Sequence, residues 1–241
     1  VSWFGVAPAA FVALVVMITP GALVVWLLRF RGLWLWALAG PASLSVIAVA
    51  SLVAPLVGAS WSIWTIFGAT AAIALIAFAL RMLLLRGPGP VEPPRAPRAV
   101  LTLSGLVLAA ALITLQVGYL VGSPENISQT FDNVFHLNAV RFILDTGNAS
   151  PFHVGQLTGG SLSFYPAGWH AVVSLVAAAS GSSIMVASNA VLLVSSTIMW
   201  PSGVLLLTRV LSPGRDYQAV VAGALSALLP AFPILMADFG V

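Results

Sequence analysis

The sequence predicts an all-α, multi-pass transmembrane bundle of six to seven helices, with a large external loop that carries a short helix. Three observations support this. The chain of 241 residues is 60% hydrophobic and only 6% charged, against about 25% charged in soluble domains, so a water-facing surface cannot be built from it. Apolar stretches of about 20 residues, the length that crosses a hydrocarbon core, recur along it. Trp and Arg gather at the junctions between stretches, where headgroups would lie.

The stretches are 4–28, 33–57, 62–85, 99–122, 167–181, 183–208 and 218–237. Pro20, Pro41 and Pro201 fall inside them and are expected to bend them; neighbouring helices can satisfy the freed backbone groups. Trp26, Trp34 and Trp36 surround Arg29 and Arg31, while Trp61 and Trp64 mark the next turn at the opposite face. Arg29 and Arg31, then Arg81, Arg86, Arg95 and Arg98, read as cytoplasmic under the positive-inside rule, which puts the N-terminus outside. The Pro-rich run 87–98 is a cytoplasmic linker. It divides a three-helix membrane unit, 1–86, from a membrane core, 99–241, whose loop 123–166 lies outside. Stretch 167–181 is marginal in length. A full crossing, the favoured expectation, places Arg209 and Arg215 outside; re-entry keeps them inside and leaves six crossings. The apolar final stretch fits the N-terminal part of a longer protein as well as a complete one.

Several classes are excluded. With no Cys there are no disulfides and no thiolate sites. No positive charge precedes Arg29, so no cleavable signal peptide is read. No phosphate-binding GxxxxGK[ST] loop and no HExxH zinc motif occur. The formal charge of +3 comes from arginines that flank apolar runs, so the implied partner is membrane lipid rather than nucleic acid. The composition fits the plasma membrane of a GC-rich bacterium.

Chemistry-bearing residues concentrate in one region. His136, His153 and His170, with Glu125, Asp132 and Asp145, lie in or just after the loop. Residues 130–148 read TFDNVFHLNAVRFILDTGN, a helix capped by Thr130 or Asp132 and ended by Gly147. Asp132 and His136, four apart, share a face. Asn138, Arg141 and Asp145 make a second polar stripe, and Phe135, Ala139 and Phe142 an apolar one between. A simple interfacial helix has one polar face. Asp132 and His136 read as a general base with its helper, or as two divalent-metal ligands, or as a solvated carboxylate beside an imidazole. Arg141 suits a phosphate, or equally an ion pair with Asp145. Glu125 stands just beyond the fourth stretch. Tyr165-Pro166 opens the next helix, Pro suiting a first turn, with Tyr165 and Trp169 in the interfacial belt. His170, one turn further in, is a functional candidate as an ionisable group at a membrane helix end, or a hydrogen-bonded member of the bundle.

An outward helix, an external loop with an early acidic residue, the D-x-x-x-H-x-x-A-x-x-x-x-x-x-x-G run from Asp132 to Gly147, and Tyr165-Pro166 opening the next helix together form a recognisable pattern. It resembles the first external loop of GT-C-type glycosyltransferases, the polyprenyl-phosphate-sugar-dependent class. The resemblance is specific over about 120–170. It implies a lipid-phosphate sugar donor used at the outer face during cell-envelope assembly, with Asp132 as catalytic base and His136 matching the following His. It also implies a divalent metal in some members. The chain departs from the pattern in two respects: the usual acidic pair is here Asp132-Asn133, and three helices precede the motif's own outward helix. Two other classes compete. A non-catalytic scaffold for an envelope-building complex would need none of these side chains. A transporter would carry charged groups at mid-membrane, where this chain has only mild ones such as Thr70, Gln116 and Ser196.

Overall fold

The computed structural model describes residues 2–84, 87, 96–159, 163–229 and 232, with backbone alone at 96 and 97. Among them every regular element is helical. α1 (Ala7–Leu27), α2 (Leu33–Val53), α3 (Ile63–Leu83) and α4 (Ala96–Val121) are followed by the loop helices α5 (Phe131–Thr146) and α6 (Pro151–Val154). α7 (Gly168–Ser180), α8 (Ile184–Val194), α9 (Trp200–Leu211) and α10 (Asp216–Leu225) are the α-helices described after the loop. A π-helical turn, Ser195–Met199, joins α8 to α9 as one rod. It stands just ahead of Pro201, whose ring would otherwise meet the carbonyl four residues back.

The chain is an integral membrane protein by the surface it presents. α3 buries only Ile66, Thr70 and Ala77, while Phe67, Leu75, Ile76 and Phe78 stand exposed. Exposed apolar area on that scale calls for lipid, not water. Five helical spans are long and apolar enough to cross: Trp3–Leu27, Leu33–Val57, Ile63–Leu83, Arg98–Val121 and Ile184–Leu211. The expected six or seven thus become five among the described residues. Stretch 167–181 forms a helix too short to cross, and most of 218–237 beyond Leu229 lies outside the described residues, as does most of the linker 87–98.

Close packing begins at Gly21. Pro20 removes one backbone donor from α1, and the Gly21 N–H donates to Ser43 Oγ at 2.7 Å. A Cβ at Gly21 would stand 2.0 Å from the Ala39 carbonyl oxygen, so only glycine permits this approach of α1 to α2, the small-residue contact that membrane helices use. One core cluster then joins Val16 and Ile47, from the first sequence unit, to Val140, Val172 and Val191, from the second.

The bundle has two distinct ends. At one, Arg31 and Arg81 lie over Trp26, Arg98 pairs with Asp216 at 2.9 Å, Arg209 donates to Thr102, and Leu33 packs with Leu205 and Ala219. At the other, Trp3 Nε1 donates to the Gly122 carbonyl at 3.0 Å and the Trp61 backbone N–H to that of Gly147 at 2.7 Å. There too Asn189 Nδ2 reaches the carbonyls of Pro124 and Asn126 at 2.9 and 3.0 Å. We call these the arginine end and the loop end.

This arrangement corrects the expected crossing by 167–181. α7 has 13 residues, about 20 Å of helix, against about 30 Å of hydrocarbon. It starts against α5 at the loop end. The α8–α9 rod runs from Asn189, also at the loop end, to Arg209 at the arginine end. The chain therefore returns to the side it left, and Arg209 and Arg215 join the other arginines. The helix also begins later than Tyr165-Pro166 suggested, because Ala167 is its N-cap.

Candidate functional site

The site is built on α5 and α7. α5 opens at Thr130, whose extended backbone makes it the N-cap, and closes at Gly147 with φ +64°, a left-handed turn that glycine tolerates without strain. Asp132 lies in the first turn, where the helix dipole favours a carboxylate. Buried Asn133 fixes this end by donating from Nδ2 to the Ser128 carbonyl at 2.8 Å. Ala139, Val140 and Ile143 form the buried face of α5, and they share a core with α7.

α7 is buried from His170 through Ala177, as expected for a helix apolar on all sides. Trp61 steadies its start, with Nε1 donating to the Ala171 carbonyl at 3.1 Å and to Ser174 Oγ at 3.2 Å. His170 is only 2% exposed. Packing α5 on α7 brings His136 Nδ1 within 2.9 Å of His170 Nε2. Aromatic rings enclose the pair. Phe135 lies 4.5 Å from Tyr165, and Trp169 lies 5.8 Å from His136 and 5.3 Å from His170, all between ring centroids.

The electrostatics follow from this enclosure. Burial, with a smaller contribution from neighbouring His136, pulls the His170 pKa down to about 4. Burial also lowers His136, against the opposing pull of Asp132. The Tyr165 phenol is raised, first by burial and then by Asp132. Both imidazoles are therefore neutral at pH 7, and one N–H serves their shared hydrogen bond. His170 Nδ1 is buried without a partner. A neutral imidazole beside an exposed carboxylate can relay or steady a proton that the carboxylate takes up.

Of the residues singled out in the sequence, Asp132, His136, Tyr165 and His170 come together. Arg141 does not. It follows His136 by five positions, about 140° around the helix, and its Nε donates to Asp145 at 2.9 Å on an exposed surface. The ion pair, not a free phosphate ligand, is the arrangement seen. Glu125 lies exposed in the connection after α4. His153 belongs elsewhere, stacked on Phe142 at 4.6 Å. The pairing of His136 with His170 was not foreseen; the one sequence signal for it is the confinement of every histidine to 136–170. Among the described residues no group of three or more His, Cys, Asp or Glu side chains is placed to hold a metal ion.

Comparison with protein families matches residues 14–241 to a model described as a family of unknown function, DUF6541. No curated protein and no solved structure matches the chain.

Proposed function

The chain belongs to the DUF6541 family, and on its own geometry we propose that it is a membrane glycosyltransferase that takes sugar from a lipid-phosphate donor at the loop end of the bundle. One observation carries the reading: Asp132 opens α5 beside His136, which is hydrogen-bonded to the buried His170. A carboxylate with a neutral imidazole behind it, at the end of the bundle that carries the loop helices, supports a base in this position. The resemblance of 120–170 to the first external loop of GT-C enzymes supports the same assignment.

In this reaction the acceptor hydroxyl oxygen bonds the anomeric carbon and its proton passes to Asp132. The bond between sugar and phosphate oxygen breaks, and the lipid phosphate leaves with the electron pair. His136 stands one helical turn behind Asp132, and His170 fixes the His136 ring through their hydrogen bond.

Orientation follows from the arginines. Of the seven that are described, six lie at the arginine end and only Arg141 at the other. The positive-inside rule then makes the loop end the outer face of a bacterial plasma membrane, where lipid-linked sugars serve envelope assembly.

The test is transfer from a polyprenyl-phosphate sugar by the full chain in membranes. Asp132→Asn should lower the rate by at least about a hundredfold, and an unchanged rate would refute the assignment. A second reading, a non-catalytic subunit of an envelope-building complex, is favoured by the exposed pair Phe152 and Phe164, 5.6 Å apart at the loop end. It gains if Asp132, His136 and Arg141 can all become Ala without a phenotype while a partner still co-purifies.

A further inference from the structure

The arginine end carries a cluster of positive charge at Arg29, Arg31 and Arg81 that no carboxylate among the described residues compensates. Arg31 Nη1 donates to the carbonyls of Trp26 at 2.6 Å and Phe30 at 2.7 Å, covering groups that the end of α1 leaves unsatisfied. Its guanidinium carbon sits 4.9 Å from the Trp26 ring centroid. Arg81, in the last turn of α3, lies 5.9 Å from the same centroid. Arg29, left-handed at φ +74°, donates to the Gly87 carbonyl and keeps a buried Nε without a partner.

No described carboxylate answers these charges. Asp216 is taken by Arg98, and Glu125, Asp132 and Asp145 stand at the loop end. Two guanidiniums, 4.9 and 5.9 Å from one indole centroid, repel each other. An anion between them removes that repulsion and accepts their remaining N–H groups. Below Trp26, Leu23 is 42% exposed, so an apolar surface continues from the charges into the membrane. The required ligand thus joins a phosphate to a hydrocarbon tail.

We propose that Arg31, Arg81 and Trp26 form a binding site for the headgroup phosphate of an anionic phospholipid of the phosphatidylglycerol class, separate from the site on α5 and α7. The phosphate lies between the two guanidiniums, and an acyl chain runs along Leu23.

Native mass spectrometry of the full chain in neutral detergent tests this, with phosphatidylglycerol and phosphatidylcholine of equal chain length as probes. Wild type should retain phosphatidylglycerol in preference. Each arginine near the membrane surface contributes about fivefold, so R31Q/R81Q should weaken retention by about twenty-fivefold, while R31K/R81K keeps most of it and R141Q leaves it unchanged. Because Arg31 also covers α1 carbonyls, Arg81→Gln alone serves if the double variant does not fold; Arg81 makes no hydrogen bond among the described residues, and its loss should cost about fivefold. Equal retention of the two lipids, or undiminished phosphatidylglycerol in Arg81→Gln, overturns the proposal. Complete displacement by millimolar inorganic phosphate also overturns it, by identifying a site for free anion instead of lipid.

Discussion

His136 and His170, one on the loop helix and one on a buried helix that does not cross the membrane, share a hydrogen bond of 2.9 Å between Nδ1 and Nε2. The bond joins the loop helix to the packed interior. Losing either partner leaves a polar ring nitrogen in an aromatic enclosure, which costs about 1–3 kcal/mol.

A double-mutant cycle measures this link. His136→Phe and His170→Phe should each destabilise the protein by about 1–3 kcal/mol. The double variant should lose less than the sum, with a coupling of at least about 0.5 kcal/mol. Unfolding in detergent provides the readout. Strict additivity would show that the bond contributes nothing.

The same pair sets a pH dependence. The His170 pKa is about 4 in the folded protein, against about 6.5 unfolded, so the unfolded chain binds more protons between these values. Its stabilising contribution is complete above about pH 6.5 and is lost as pH falls towards 4, by an amount on the order of 3 kcal/mol. His136, also lowered, acts in the same direction. The melting temperature should drop through this window in wild type and much less in His170→Phe; equal drops in both would assign the effect to other groups.

Topology can be read by labelling, since the chain has no native Cys. Gln156 and Pro213 are exposed at the loop and arginine ends respectively. A membrane-impermeant maleimide on intact cells should label Gln156→Cys and spare Pro213→Cys until lysis. The reverse pattern would put Asp132 in the cytoplasm and remove the outer-face reaction.

Much of the fold was legible because its signals are local. Stretch 33–57 reappears as the span Leu33–Val57, and α5 runs from a Thr130 cap to a left-handed Gly147 as its sequence indicates. Apolar run length and capping chemistry act within a few residues. The side on which Arg209 emerges was not legible, because it depends on Asn189 reaching Pro124 and Asn126, more than sixty positions away. The site was half legible. Asp132 and His136 are one helical turn apart and could be paired on sight, whereas His170 meets His136 only through the packing of α5 on α7.

The burial of α7 bears on how the molecule is assembled. A helix whose residues 170 to 177 all point into protein has no face to offer to lipid, and at 13 residues it cannot wait in the bilayer as an independent span. Its packing partners include α1, whose residues Ala9, Ala13 and Val16 share its core and are synthesised some 150 residues earlier. α7 is therefore made only after α1 and α2, the helices it packs against. Asp132 acquires its histidine neighbours only at that step, so no early fragment of the chain holds the complete constellation.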